Sequence, residues 1–324
     1  EGKQPLLIRQ RHIEKIKFVD KSIELTEISS LDNKKLEKEL SDSEVLAGIS
    51  SITPSIKNAK NLKWIHVFSA GVEKILTPQV VKSKIIVSNS AGIHATPIAE
   101  HVIGFMLIFT KKFYETFQKQ KKKIWEGNQD LSELKDKTVL IVGLGHIGEE
   151  VARLSHAFGA NVVAVKKNLK NKSRTKSVRD KPNFVSKLYA IKQLNKVLPM
   201  ADFVVLSLPI TKETHHLFDM KKIKLMKKSG VLINIGRGGV VNEKELVKAL
   251  ASKIIAGAAL DVTEEEPLPK QSRLWEMENV VITPHHSGWS ERYMDRAIDI
   301  FVLNLKAYLR GKPLPNLVDK KRGY

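Results

Sequence analysis

A glycine-rich turn set between a strand and a helix constrains this chain more than anything else in it. The run TVLIV at 138–142 is apolar and β-branched, and leads directly into Gly143-Leu144-Gly145-His146-Ile147-Gly148. The next stretch, HIGEEVARLSHAFG, has helical periodicity and closes on Gly159, after which NVVAV is a second apolar run. Glycine spacing alone says little, but strand, GxGxxG, helix and strand in that order form a dinucleotide-binding unit. Gly143 permits the tight turn, Gly145 the close approach of a diphosphate, and Gly148 the contact of helix with sheet. The helix start at His146 and Ile147 offers N–H groups to phosphate.

The surrounding pattern extends this unit into a larger sheet. ADFVVLSLP, GVLINI, IAGAALDV and VVITP read as further strands with few polar interruptions, and NEKELVKALAS as a helix. Such strands, separated by helices, predict a doubly wound parallel sheet. Upstream, residues 44–49, 63–68 and 84–89 read as strands and residues 55–62 as a helix, again α/β material. From Thr96, the stretch TPIAEHVIGFMLIFTKKFYETFQKQKKKIW predicts one long helix with Pro97 in its first turn. It gives way to the polar EGNQDLSELKDK, which suggests a boundary near residues 122–136. After Ser290, ERYMDRAIDIFVLNLKAYLR predicts a last helix before the tail GKPLPNLVD. A chain of 324 residues is comfortable for two domains.

Charge and composition narrow the function. Lysine and arginine number 55 against 35 acids, a net charge of +20. Such a field suits nucleic acid, an anionic surface or an acidic small molecule. The lysines are spread along the whole chain, however, and no RNP, zinc-finger or homeodomain pattern accompanies them. An anionic substrate and cofactor are the expected beneficiaries, with no specific nucleic acid as partner. The chain has no cysteine, which excludes disulfides, thiolate metal sites and a cysteine nucleophile, and is compatible with a cytoplasmic setting. The apolar run VIGFMLIF at 102–109 is too short to span a bilayer, and the start, EGKQPLLIRQRH, does not read as a signal peptide. No membrane association is expected.

Three later stretches carry candidate chemistry: VLINIGRGGVVNEKEL, AGAALDVTEEEPLP and VITPHHSGWS. Each sets polar residues just beyond an apolar strand, the edge of a parallel sheet where ligands bind. Arg237 can hold a carboxylate bidentately. A His–Glu pair is an acid–base unit, because a carboxylate orients an imidazole and favours its protonated form. In a chain without the glycine turn, Arg237 would read equally as a surface ion pair and Glu264 or Glu265 as merely solvated. Metal chemistry is not expected. His215 and His216 are adjacent and face different ways in most backbones, while His94, His101 and His156 show no ligand partner at metal spacing.

Nearly end to end the sequence resembles the D-isomer-specific 2-hydroxyacid dehydrogenases. The resemblance is carried by LKWIHVFSAGVEKIL, SNSAGIHATPIAEHV, TVLIVGLGHIG, VVLSLPITKETHHLF, NIGRGGVVNEKEL, ALDVTEEEPLP and TPHHSG. It implies two Rossmann-like domains, a central doubly wound coenzyme domain over 100–286 and a split flavodoxin-like substrate domain from 1–99 and 287–324. It also implies a homodimer, formed through helices near the start of the coenzyme domain. Matched position by position, the family arginine is Arg237, its glutamate Glu266 rather than Glu264 or Glu265, and its histidine His285 rather than His286. Asp261 would hold the nicotinamide carboxamide, and Leu208, Pro209 and Thr214 would line the coenzyme. Ser69, Ala70 and Gly71 match the loop that meets the substrate carboxylate. The implied activity is reduction of a 2-oxo acid to a D-2-hydroxy acid, with Arg237 holding the carboxylate, His285 giving the proton and Glu266 holding the imidazole. His286 is expected to be packed or solvated.

The pattern breaks at one place. An NAD-preferring site expects an acid at the end of its second strand, bound to the ribose hydroxyls. Lys166 and Lys167 stand there instead, and the only acid from Asn161 to Lys187 is Asp180. Cations suit a 2′-phosphate, so NADP(H) is favoured and NAD(H) is the alternative. Trp289 reads equally as a pocket wall and as packing on the last helix. Two rival functions belong to other classes: a dinucleotide-sensing interaction protein of the same fold, and an oxidoreductase on another small anion such as phosphite.

Overall fold

The computed structural model describes residues 7–28, 33–48, 59–72, 74–127, 130–167 and 182–320. The chain divides into two compact units, residues 1–94 with 289–324, and residues 95–288. No helix among the described residues is long and apolar enough to cross a membrane.

The first unit is built on three parallel strands, β1 (Val45–Gly48), β2 (Trp64–Val67) and β3 (Ile86–Asn89), in that order. β2 is buried throughout, which its apolar residues favour, but it carries a histidine as well. His66 is satisfied there, its ring nitrogens lying 2.7 Å from the Ser88 hydroxyl and 3.1 Å from that of Ser90. The helix Tyr293–Leu309 returns to this unit and buries Ile298, Phe301 and Leu305 in one core with Trp64 and Phe68. Of the helix expected over residues 55–62, the part up to 58 lies outside the described residues. Ala59–Leu62 form a turn.

The second unit holds seven parallel strands: β4 (Thr138–Val142), β5 (Asn161–Lys166), β6 (Lys187–Ala190), β7 (Phe203–Leu206), β8 (Val231–Asn234), β9 (Gly257–Leu260) and β10 (Val280–Ile282). Across the sheet they run β6-β5-β4-β7-β8-β9-β10, so the order reverses between β4 and β7. Alternation along the strands makes two cores, one on each face. Leu140, Val142, Val163 and Leu206 enter one, while Val139, Ile141, Val162 and Val205 enter the other. Burial on both faces is why these strands read as continuous apolar runs. Both units thus carry the parallel sheets of an α/β protein.

Three sequence expectations shift. The units divide at 94/95 and 288/289 rather than 99/100 and 286/287, because the helix Ala95–Thr110 lies whole in the second core, with Ile98 and Val102 buried there. The long helix from Thr96 is two helices, Ala95–Thr110 and Phe113–Lys121, since Lys112 adopts a left-handed φ of 49°. The polar stretch after it is no boundary: Ser132 donates to the Thr110 carbonyl at 2.9 Å, and Leu134 is buried in the core.

Candidate active site

The glycine turn lies at the reversal between β4 and β7. Gly143 has φ 106°, and a Cβ there would stand 2.7 Å from the Ser207 carbonyl oxygen. A Cβ at Gly148 would stand 2.1 Å from the Gly143 carbonyl oxygen, so the helix His146–Ala157 can start here only with glycine. Gly145 differs: it is the exposed N-cap, and nothing lies within 4 Å of where its Cβ would be. That gap, beside first-turn N–H groups at His146, Ile147 and Gly148 that have no intrahelical acceptor, fits a diphosphate. Ser207, which sequence reasoning missed, ties the two turns together by donating to the Gly143 carbonyl at 2.6 Å.

Beyond β7 the chain closes on itself. The Thr214 hydroxyl donates to the Pro209 carbonyl and accepts from the Thr211 N–H, both at 2.7 Å. The Leu208 carbonyl is packed against Gly236, where a Cβ would come within 2.6 Å. His215 and His216 do not diverge as expected. Their rings stack with centroids 4.0 Å apart, because His216 takes a φ of 49° and its ring pairs with Glu264.

Lys166 ends β5 and the exposed Lys167 follows it. Both have an acid nearby. Burial pushes the Glu149 carboxyl up, and the Lys166 charge opposes that rise. Glu213 is held below the usual range by the Thr211 hydroxyl and its own backbone, with a smaller pull from Lys167. The basic loop beyond, residues 168–181 with Asp180, lies outside the described residues.

Arg237, Glu266 and His285 follow β8, β9 and β10, which are neighbours in the sheet. Arg237 is exposed between two glycines that cannot be replaced, since a Cβ at Gly238 would overlap the Thr263 carbonyl at 1.8 Å. Buried Asn234 braces this turn, accepting from the Gly236 N–H at 3.2 Å and donating to the Arg237 carbonyl at 3.1 Å. The guanidinium donates to the Gly236 carbonyl at 2.8 Å, and no carboxylate among the described residues pairs with it. It is free to take an anion.

Of the three neighbouring glutamates, Glu266 reaches His285. Its Oε2 lies 2.7 Å from Nδ1, while Oε1 accepts from the Thr263 N–H at 3.2 Å. Glu264 is committed to His216 instead. A carboxylate accepts only, so Nδ1 donates and Nε2 is left to exchange a proton. The imidazole is half exposed at 50%, open to a ligand. Asp261, 2% exposed, holds the turn that carries it. Its carbonyl accepts from the His285 N–H at 2.9 Å, and its carboxylate accepts from the Thr283 hydroxyl at 2.6 Å and from the Ser287 hydroxyl and N–H. The carboxylate expected on the nicotinamide thus already accepts within its own unit.

His101 corrects the sequence expectation about metal spacing. Helix packing sets it beside Asp261 and His286, residues far away in the chain, with ligand atoms all within 4.8 Å of one another.

In the first unit, Ser69, Ala70 and Gly71 form a loop whose carbonyls are all used. They accept from the Ser90 N–H at 3.0 Å, the Asn89 amide at 2.7 Å and the Ser69 hydroxyl at 2.8 Å. No acceptor among the described residues takes the N–H of Ala70 or Gly71. Trp289 is 54% exposed and stacks on Tyr293, centroids 6.1 Å apart, so it packs on the last helix.

The chain is similar to known proteins over most of its length. The sequence model of the D-isomer specific 2-hydroxyacid dehydrogenase NAD-binding domain matches residues 103–287. A glyoxylate reductase of Thermofilum pendens is 34% identical over 268 residues, 81% of this chain and 76% of that protein. A crystal structure of a D-isomer specific 2-hydroxyacid dehydrogenase family protein from Aeromonas salmonicida is 32% identical, with a TM-score of 0.73 over 89% of this chain and 88% of the other. An NADPH-dependent glyoxylate/hydroxypyruvate reductase of Sinorhizobium meliloti, solved with NADP and sulfate, is 27% identical, with a TM-score of 0.75 over 96% of each chain.

Proposed function

The chain belongs to the D-isomer-specific 2-hydroxyacid dehydrogenase family, and we propose that it reduces a small 2-oxo acid to the D-2-hydroxy acid, with NADP(H) preferred. The observation that carries this reading is the Glu266–His285 pair, 2.7 Å apart, at a strand end in the same sheet as that of Arg237, with which no carboxylate among the described residues pairs.

The chain's own groups have distinct tasks. Arg237 binds the substrate carboxylate by charge and by its planar fork of donors. His285 delivers a proton from Nε2 to the developing alkoxide, and Glu266 fixes the ring so that this nitrogen faces outward. The N–H groups of Ala70 and Gly71 suit a carboxylate too. A bound nicotinamide coenzyme supplies the hydride. Gly143, Gly145 and Gly148 with the N–H groups of His146 and Ile147 would hold its diphosphate, and Leu208, Pro209 and Thr214 its neighbouring parts. Preference for NADP(H) rests on Lys166 and Lys167 where an acid would bind ribose hydroxyls. The NADPH-dependent Sinorhizobium relative agrees with that preference.

The protein works in the cytoplasm as a homodimer. Helix Phe113–Lys121 has no buried residue; its exposed Phe113 and Phe117 stack with centroids 6.1 Å apart, and Trp125 beyond its end is exposed at 102%, apolar surface suited to a second copy.

The test is loss of reduced coenzyme absorbance with glyoxylate, hydroxypyruvate and bulkier 2-oxo acids, each with NADPH and with NADH, followed by chiral analysis of the product. Turnover with a D product is expected. No turnover across the panel, or an L product, overturns the reading.

A further inference from the structure

The second unit assembles three side chains to which the reductase reading gives no joint role. His101 lies on the helix Ala95–Thr110, Asp261 just after β9, and His286 beyond β10. Their ligand atoms all fall within 4.8 Å of one another. Two of the three are held firmly. The Asp261 carboxylate is oriented by Thr283, by the His286 N–H at 3.1 Å and by Ser287. His101 Nε2 lies 3.1 Å from the Thr283 hydroxyl, and its ring meets Phe105 edge-on with centroids 4.4 Å apart. His286 is exposed and free to adjust, its ring 5.5 Å from that of His101 at an interplanar angle of 83°. Rings crossed in this way can aim nitrogens at a common point, which stacked rings cannot.

Two imidazoles and one carboxylate form an N₂O donor set, which zinc takes with water as the fourth ligand. Magnesium, which prefers oxygen ligands and keeps its waters, is poorly served by it. We propose that His101, Asp261 and His286 form a site for a zinc-class divalent cation, and that filling it slows the enzyme.

The second clause rests on the reductase reading. Asp261 holds the turn of His285 through its carbonyl and that of His286 through its carboxylate. Drawing the His286 imidazole onto a cation re-aims the turn and pulls His285 out of line with Glu266.

The experiment uses chelator-treated protein without coenzyme. Zinc is titrated calorimetrically, and cobalt(II) is added separately to read ligand-field absorption. One ion per chain is expected, unaffected by excess magnesium. His286→Ala and His101→Gln should each lose most of the binding, because each removes a ligand of the ion itself. His286→Ala should keep its metal-free turnover and lose its inhibition by zinc. No binding, or binding unchanged in both variants, overturns the site. Binding lost in His285→Ala but kept in His286→Ala also overturns it, by assigning the ion to the His285–Glu266 pair. Zinc bound through His286 without slowing turnover overturns the brake alone. If no oxo acid is turned over at all, the calorimetric and cobalt readings still decide the site.

Discussion

Glu266 Oε2 lies 2.7 Å from Nδ1 of His285 and leaves Nε2 as the ring nitrogen available for proton exchange. His285→Ala therefore lowers kcat by ~10²–10⁴ with little change in coenzyme Kd, the usual size of a lost proton donor. Glu266→Gln keeps a polar group of the same size but removes the charge, and its kcat falls between those of wild type and His285→Ala. His286→Ala in metal-free buffer turns over like wild type. Steady-state kinetics with coenzyme titration measure all three. A dead His286→Ala enzyme beside a working His285→Ala one reverses the assignment.

Arg237 fails differently. Its guanidinium has no carboxylate partner among the described residues, so its charge is available to substrate. Arg237→Ala raises KM as well as lowering kcat, by roughly ten- to a hundredfold for a lost charged contact of about 1.5–3 kcal/mol. Arg237→Lys restores only part of this, because a point charge cannot reproduce the bidentate fork. A KM equal to wild type in Arg237→Ala removes this residue from substrate binding.

The parts of the candidate site legible in the sequence are those that local motifs carry. Gly143, Gly145 and Gly148 act within one turn, so their spacing between strand and helix carries their meaning. Arg237, Glu266 and His285 were readable because each follows an apolar strand inside a motif matched to the family. The illegible parts are made by packing. Ser207 meets Gly143, and His101 meets Asp261 and His286, only when helices and strands assemble. The break at Lys112 and the stacking of His215 on His216 depend on left-handed backbone at non-glycine residues, which composition does not signal. Strand β6, Lys187–Ala190, is a sheet edge with no buried residue, so it lacks the apolar run that marks the others.

His66 links the first unit's stability to acid. Burial pushes its imidazole from the ordinary 6.5 down to about 3, among Trp64, Phe68, Phe301 and two serine hydroxyls. Between those values the unfolded chain binds a proton that the folded chain refuses, so stability is full above the upper value and falls as pH drops towards the lower. The ceiling on this loss is roughly 4–5 kcal/mol. Urea unfolding at intervals from neutral to acid pH, in wild type and His66→Gln, measures it. The variant is expected to be less stable at neutral pH and to lose less on acidification. Parallel curves exclude His66 as the source.

The exposed Phe113, Phe117 and Trp125 make a prediction about assembly. Phe117→Asp with Trp125→Asp places charge where a second copy would bury apolar surface, at a site with no buried contact to break within the helix. Sedimentation should show a dimer for wild type and a monomer for the pair, with the thermal transition of each chain otherwise retained. A wild-type monomer overturns the homodimer, and an unchanged dimer moves its interface elsewhere.

Coenzyme choice turns on Lys166 and Lys167. A charge-assisted contact to a 2′-phosphate is worth about 1.5–3 kcal/mol before solvent exposure reduces it. Replacing the pair by Asp-Ser should thus raise the Kd for NADPH by roughly ten- to a hundredfold while leaving NADH binding similar or stronger. Glu149 complicates this substitution, because an aspartate at 166 would face a carboxyl that burial already pushes up. Lys166→Ser with Lys167→Ser removes both cations without adding that repulsion, and should weaken NADPH while barely touching NADH. General attraction by the +20 charge behaves otherwise. It strengthens both coenzymes, fades with salt for both, and is insensitive to a local change. Fluorescence titrations of each coenzyme into wild type and both variants, at low and high salt, separate the two. Equal wild-type affinities that neither variant alters would leave Lys166 and Lys167 as surface charge and remove the basis for NADP(H) preference.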